Sequence, residues 1–431
     1  MLREVFDKET RELRLVPDNK VDTIRKTLIG GRFLREFRRV LKIGNLIENT
    51  DRAIGAVVRR VRFHKEPIVQ NRAVFFTFQG KYTCNSKYIA EKILETHPEF
   101  EVIFIVDKGI MSDQEYINSL PEQIKLVVRD TPEAYYALST AHFWFDNALC
   151  CIWRKIPKRK GQIYINTWHG SLGIKRLSGD ENWIKIAQYG NSQIDYFLTN
   201  SVFDEEVFTE SFWPDVKHLK VGHPRNDIFF DECTLKRLKK KVYEYYDIEP
   251  GVKTLLYAPT FRDDKQNVSA IIMDYEKVHA ALVEKFGGEW KIFVRPHFHN
   301  LSAFKLNLSK EAKKIIVDAS TYDDMQELMA AADIGVTDYS SWIFDYIFTG
   351  RPAFIYARDI EEYVNSRGFY YSLNETPFTI AGDDDCLCDN IRNYDSEKYK
   401  SEVSRFFEGK GCYEFGKASE QVVQFMVDAC K

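Results

Sequence analysis

The chain has 431 residues, 44% of them hydrophobic and 14% aromatic, with 61 Lys and Arg against 64 Asp and Glu for a formal charge of −3. This length calls for two α/β domains plus extra material, and the apolar content excludes global disorder. The total charge hides an asymmetry: from 21 to 65, twelve Lys or Arg face four acids, a local +8 that leaves −11 for the rest. The eight cysteines form no CxxC pair and no regular framework, so they read as reduced thiols of a cytoplasmic protein. Cys386-Leu387-Cys388 lies in an acidic stretch, and no metal or redox role is expected of it. No apolar run is long enough to span a bilayer. Acids interrupt the start, which is not the pattern of a signal peptide.

Residues 21–65 read as a basic amphipathic helix broken near Gly30-Gly31, with Ile24, Leu28, Phe33, Leu34, Phe37 and Leu41 at roughly helical spacing. Such a helix can lie on an anionic membrane, with Arg32, Arg35, Arg38, Arg39 and Lys42 among the headgroups. A solvated helix packed on the domain behind it is the alternative. Nucleic acid is not the expected partner, because no stacking pattern or binding motif accompanies the charge.

Strands are then expected at Ala73–Phe78, Glu101–Val106, Ile124–Val128, His142–Phe145, Gln162–Asn166 and Tyr196–Thr199, with helices between them, including Ser86–Glu95 and Thr131–Ser139. The alternation implies a parallel sheet with crossover helices. Asp231–Asp247 reads as a linking helix. A second unit follows, with strands at Thr254–Tyr257, Trp290–Val294, Ile315–Val317, Ile334–Val336 and Ala353–Tyr356, and helices at Met273–Phe286, Met325–Ala331 and Ser341–Phe348. One or two closing helices come last. The expected division is a membrane-association segment at 1–68, Rossmann-like domains at 69–240 and 241–396, and closing helices at 397–431.

Several loops after these strands carry chemistry, and ligands of open α/β sheets bind at strand ends. His169, between Trp168 and Gly170, suits general-base work near neutral pH. His297 and His299 lie two apart, so on extended backbone they share a face; one can donate to a phosphate and the other support it. Arg262 ends a strand and can pair with a phosphate, or with the adjacent Asp263 or Asp264. Ser340 or Ser341 can cap the following helix or, with its first-turn amides, hold a phosphate. Arg225 follows a Gly-His-Pro turn, where it can reach a cleft or form a structural ion pair at a hinge. There is no GxSxG elbow, Walker loop or GxGxxG. The acidic pairs Asp323-Asp324 and Asp383-Asp384 do not follow strands in a way that fixes Mg²⁺, so no metal or cofactor is expected.

Together the segments Thr167-Trp-His-Gly170, Gly222-His-Pro-Arg-Asn-Asp227, Tyr257-Ala-Pro-Thr-Phe-Arg-Asp263, Arg295-Pro-His-Phe298 and Thr337-Asp-Tyr-Ser-Ser341 resemble the CDP-glycerol glycerophosphotransferase family of teichoic-acid and capsule enzymes. Five such motifs in order, over roughly Ala73 to Phe378, make the resemblance specific. The tail Phe354–Asp359, with Tyr363 and Arg367-Gly368-Phe369-Tyr370, is also similar. The resemblance implies a GT-B fold, two Rossmann-like domains facing a cleft, with the CDP-activated donor on the second domain. It implies His169 as base, His297, Arg262, Thr337, Ser340 and Ser341 as donor-phosphate contacts, and Asp345 at the polyol hydroxyls. It also implies a peripheral, monotopic enzyme at the cytoplasmic face of the membrane, moving glycerol phosphate from CDP-glycerol to a lipid-linked glycan or polyol-phosphate acceptor. The sequence departs from the family at Ser171–Lys175 (usually Thr-Pro-Leu-Lys), at His223 (usually Tyr) and at Phe298 (usually Pro), and His299 is additional. The loop departure bears on acceptor identity. Rival readings are a transferase using CDP-ribitol or another nucleotide-activated donor, and a membrane-associated scaffold without catalysis.

Overall fold

The computed structural model describes residues 2–7, 12–17, 63, 65–153, 156, 158–177, 181–260, 272–296, 309–361, 363 and 368–431. The expected basic helix at 21–65, with Arg32, Arg35, Arg38, Arg39 and Lys42, lies almost wholly outside them, as do Arg262, His297 and His299.

Two sheets organise the chain. The first joins β1 (Leu2–Asp7), β2 (Glu12–Pro17), β3 (Val69–Phe76), β4 (Glu101–Val106), β5 (Lys125–Val128), β6 (Ala141–Asp146), β7 (Ile163–Asn166), β8 (Tyr196–Thr199) and β9 (Lys217–Lys220). Its order is β1-β2-β5-β4-β3-β6-β7-β8-β9. The second joins β10 (Lys253–Tyr257), β11 (Trp290–Val294), β12 (Ile316–Asp318), β13 (Ile334–Thr337), β14 (Ala353–Tyr356) and β15 (Thr379–Ala381) in the order β12-β11-β10-β13-β14-β15. Among the named strands of the described residues, β1 and β2 pair antiparallel and the other ladders are parallel. The inner strands read as continuous apolar runs because helices cover both of their faces; Ala73–Phe76 and Val102–Val106 are buried throughout.

Within the segment 1–68 expected to be helical, residues 2–7 and 12–17 are strand instead. Leu2–Asp7 and Glu12–Pro17 form a hairpin on the edge of the first sheet. The alternation in Glu12-Leu13-Arg14-Leu15 has the two-residue period of a strand rather than that of a helix.

Both sheets share one plan. From the centre, β3 runs outward through β4 and β5 on one side, and β6, β7 and β8 run out on the other; β10 to β15 repeat this. In such doubly wound sheets the crevice opens at the carboxyl ends of the two central strands, where the winding reverses. Each domain therefore has its switch point, at β3/β6 and at β10/β13.

The domains are stitched together at several places. Helix α1 (Cys84–Thr96) sends Lys87 to Asp324 (2.5 Å) and Glu327 (2.8 Å) of the second domain. Leu172 and Ile174 pack into the core of the second domain. Of the closing helices, α2 (Ser396–Lys410) buries Tyr399 and Phe406 in that same core, whereas α3 (Ala418–Ala429) returns to the first sheet, burying Val422, Val423 and Met426. Asp227 holds the start of α3 by accepting from Ala418 N (2.9 Å) and Ser419 N (2.7 Å). Among the described residues, no helix is long and apolar enough to cross a membrane.

Candidate active site

The site begins at the end of β7. Asn166 accepts from Trp168 N (2.9 Å) and donates to Ala148 O (2.5 Å), and Asn85 donates to Thr167 O (2.9 Å). These bonds hold Trp168 at φ +48°, a left-handed conformation that costs a non-glycine residue about 1–2 kcal/mol. Strain of this kind persists where the surroundings over-determine it. Here it turns the next residue, His169, into the cleft. Trp168 stacks on the His169 ring (centroids 4.7 Å, 25°), and Phe78 packs on it at 4.7 Å and 44°.

His169 Nδ1 lies 2.7 Å from the main-chain oxygen of Asn147. A carbonyl only accepts, so Nδ1 carries the hydrogen and Nε2 keeps its lone pair. Crowding by the surrounding protein lowers the pKa of His169, and the cations of Arg225 and Lys175 push it the same way, against the Asn147 carbonyl. The ring remains solvent-accessible, and with its pKa lowered His169 is neutral near pH 7. A neutral imidazole with a free Nε2 is the form that accepts a proton.

The ring forms part of the wall of a cavity of about 400 Å³ at the β3/β6 switch point, with Phe78, Leu149, Trp153 and Trp183. Asn147 braces two of these wall residues, accepting from Phe78 N (2.9 Å) through its side chain and from His169 through its main chain.

Gly170 carries the loop across the seam. A Cβ there would stand 3.0 Å from Ser341 Oγ, so the close approach needs the missing side chain. The loop then runs antiparallel to 368–371. Tyr370 N donates to Ile174 O (2.8 Å), Arg176 N to Gly368 O (3.2 Å), and Tyr371 Oη to Leu172 O. The departure from the family at Ser171–Lys175 thus falls on a strip bonded to the second domain.

At the second switch point the strand ends are tied to each other. Thr337 Oγ1 donates to Ala258 O (2.7 Å), Trp342 Nε1 donates to the same oxygen (2.8 Å), and Asp338 accepts from Thr260 N (2.8 Å) and Tyr339 N (2.6 Å). Thr337, expected at a donor phosphate, is fully buried with its hydroxyl on the main chain. Ser340 and Ser341 are half-buried, and Ser341 makes no side-chain cap to the short helix Trp342–Tyr346 that follows. The capping role expected of these serines at that helix is not taken by Ser341.

Arg225 and Asp345, expected at the donor, face each other instead. Arg225 Nε donates to Asp345 Oδ2 (2.9 Å) and Nη2 to Oδ1 (3.2 Å), with the residues 1% and 3% exposed. Asp345 also accepts from Ser171 Oγ (2.9 Å) and Asn226 Nδ2 (3.0 Å). Burial alone would weaken the guanidinium's hold on its proton, but the adjacent Asp345 carboxylate more than offsets this. This is the hinge ion pair that stood as the alternative for Arg225. Nearby, burial pushes Glu414 up to about 8 and Asp204 up to about 7, while His223 is held neutral by burial and by Arg225.

Residues 58–428 match the family model described as CDP-glycerol:poly(glycerophosphate) glycerophosphotransferase. The chain belongs to this family. It is 29% identical to a teichoic acid poly(glycerol phosphate) polymerase of Bacillus subtilis (strain 168), over 99% of this chain and 58% of that protein. It thus spans little more than half the length of that relative. A teichoic acid ribitol-phosphate polymerase of Staphylococcus aureus (strain NCTC 8325 / PS 47) is 25% identical, over 83% of this chain and 68% of that one. A solved structure of the wall teichoic acid polymerase TagF superposes with a TM-score of 0.74 at 25% identity, covering 92% of this chain and 98% of that one. The family member described here therefore has two parallel-sheet domains in the GT-B-like arrangement.

Sequence reasoning missed Asn147, although it follows a strand that was read correctly; the strand-end rule could have found it. Phe78, the last residue of an expected strand, falls under the same rule, whereas Trp153 and Trp183 carry no such signal.

Proposed function

We propose that the chain transfers a polyol phosphate, glycerol phosphate in the first instance, from a CDP-polyol to a hydroxyl of a lipid-linked or polymeric acceptor in teichoic-acid-like or capsule synthesis. The acceptor oxygen attacks the β-phosphorus and its proton passes to His169 Nε2. The bond from the β-phosphorus to the bridging oxygen breaks, and CMP leaves with that oxygen. One observation carries the reading: a neutral imidazole with a free Nε2 stands beside the Gly170–Ser341 contact, where the first switch point meets the second. Main-chain amides and the hydroxyls of Ser340 and Ser341 are the described groups available to the donor phosphates. Arg262 and His297 complete that set in the family-based reading, and His299 is an additional imidazole beside them. Charge spreading over phosphoryl oxygens is what such groups stabilise.

The family membership and the TagF structure, obtained after a soak with CDPG, support a CDP-polyol donor. The ribitol-phosphate relative makes CDP-ribitol the second reading. The acceptor chemistry suggests work at the cytoplasmic face of the membrane, with the +8 segment at 21–65 as the contact to anionic lipid. Purified protein incubated with CDP-glycerol, CDP-ribitol and UDP-sugars, each with a lipid-linked acceptor, tests all of this. CMP release from CDP-glycerol, and product mass rising by one glycerol phosphate, are expected. Release from CDP-ribitol alone moves the reading to the ribitol donor. No donor binding by calorimetry leaves only the scaffold.

A further inference from the structure

The proposed reaction says nothing of which chemical end of the acceptor the first domain grips. We propose that the cavity at the β3/β6 switch point is a pyranose subsite, and that Phe78 and Trp183 set the choice of acceptor there. This rests on the transferase reading for its purpose but not for its geometry.

The cavity measures about 400 Å³, within the range of small-molecule sites, and lies where a doubly wound sheet places its ligand. Its wall is aromatic: Phe78, Trp153, Trp168 and Trp183. Phe78 lines the cavity and is 46% exposed, so it is not spent on the core. It is held there by the Asn147 bond to its main chain and by its contact with His169. Trp183 sits on the helix Glu181–Tyr189, which buries only Ala187, and is braced edge-on by Phe212 at 5.4 Å. Rigid aromatic faces with few polar groups suit a ligand that is flat and apolar on its faces and hydroxylated at its edge.

Charge decides against the other acceptor. A polyol-phosphate chain carries one negative charge per repeat and calls for cations. Among the described residues lining this cavity, Arg129 is the one with a permanent charge, and Asp107 pairs with it at 2.8 Å. His169 is neutral. A sugar ring on Phe78 and Trp183 brings its edge hydroxyl to His169, which shares the wall.

The test uses the full chain with Phe78→Leu and Trp183→Leu. The probes are octyl β-D-glucopyranoside, its 2-acetamido analogue and octyl glycerol phosphate. Without donor, the pyranosides should quench tryptophan emission at concentrations where octyl glycerol phosphate does not, and the quenching should weaken at least tenfold in both variants. With donor, the pyranoside KM should rise at least tenfold while calorimetric donor affinity stays put. Phe78 is half exposed, so its variant serves if Trp183→Leu does not fold. Octyl glycerol phosphate binding more tightly than both pyranosides, or pyranoside quenching unchanged in the variants, overturns the subsite. Failure of CMP release with every donor sinks the transferase reading instead, and leaves the quenching experiment standing.

Discussion

The two domains share one strand order, yet their switch points are made of different material. At β3/β6 the strand ends, joined by the bond from Phe78 N to the Asn147 side chain, border an aromatic cavity with a neutral imidazole in its wall. At β10/β13 they are laced together by Thr337, Asp338 and Trp342, leaving two half-buried serines, of which Ser341 faces Gly170. The same winding thus gives one pole suited to an apolar-faced hydroxyl compound and one suited to an anion. Neither pole is complete alone, because the residues that set their spacing lie on the seam. There Arg225 and Asp345 are sealed together and hold the His169 loop through Ser171.

The largest effect should come at the first pole. His169→Ala should reduce turnover by about two to four powers of ten, the usual contribution of a general base. Its ring is partly exposed, so thermal unfolding should shift little. Donor affinity measured by calorimetry should stay within a few fold, since the donor belongs to the other pole. Normal turnover in this variant would remove the contrast between the poles.

The seam comes next. Asp345→Ala leaves Arg225 charged, buried and without a counter-ion, which costs about 3–5 kcal/mol of stability. Denaturant titration should show this as a lower midpoint. The double replacement Arg225→Met with Asp345→Leu should recover much of the loss, because an apolar pair of similar volume needs no counter-charge. Activity should not return with stability, since Ser171 would have lost its acceptor.

A smaller effect is expected where the poles touch. Gly170→Ala places a methyl 3.0 Å from Ser341 Oγ, so the neighbour must yield by a few tenths of an ångström. Misplacement of 1 Å can cost about a hundredfold in rate, so a shift of this size should cost roughly tenfold or less. Pairing it with Ser341→Gly should restore part of the rate in steady-state assays. An undiminished rate in Gly170→Ala alone would mean that the poles are not held at contact distance during turnover.

What the sequence disclosed follows the same division. Apolar strands such as Glu101–Val106 and Trp290–Val294 were legible because burial on both faces leaves a continuous hydrophobic run. Lys217–Lys220 and Thr379–Ala381 were not, being short edge strands, the first polar and the second only three residues long, whose pairing depends on a neighbour rather than on their own composition. The hairpin at 2–17 was obscured by the basic run after it. Motifs located the loops but not the partners: Thr337 and Asp345 read as ligand contacts, and only coordinates reveal that Ala258 and Arg225 occupy them. Aromatic residues look alike in a sequence whether they fill a core or line a cavity, which is why Trp153 and Trp183 went unread.

The last and mildest prediction concerns the protons held in the seam. Glu414 accepts from Asn200 Nδ2 (3.0 Å), Asn226 Nδ2 (2.9 Å) and His223 N (3.1 Å), all through Oε1, and a Cβ on Gly222 would lie 2.8 Å from its Oε2. Burial raises its pKa to about 8, and that of Asp204 to about 7. Between their ordinary values and these, the folded chain keeps protons that the unfolded chain has released. Stability from this source is therefore fully present below about pH 4 and is lost as the pH climbs through 7 to 8. His169 and His223, both lowered, act in the opposite sense, but only below their ordinary value of about 6.5. Above pH 6.5 the slope belongs to the carboxyls, so the unfolding temperature should fall from there to pH 8. Each carboxyl contributes at most about 1.4 kcal/mol per pH unit. Glu414→Gln keeps an oxygen for the same three donors and cannot ionise, so it should flatten that decline. An equally steep fall in the variant would mean that Glu414 is already ionised at neutral pH, and that the seam carries a second buried negative charge beside Asp345.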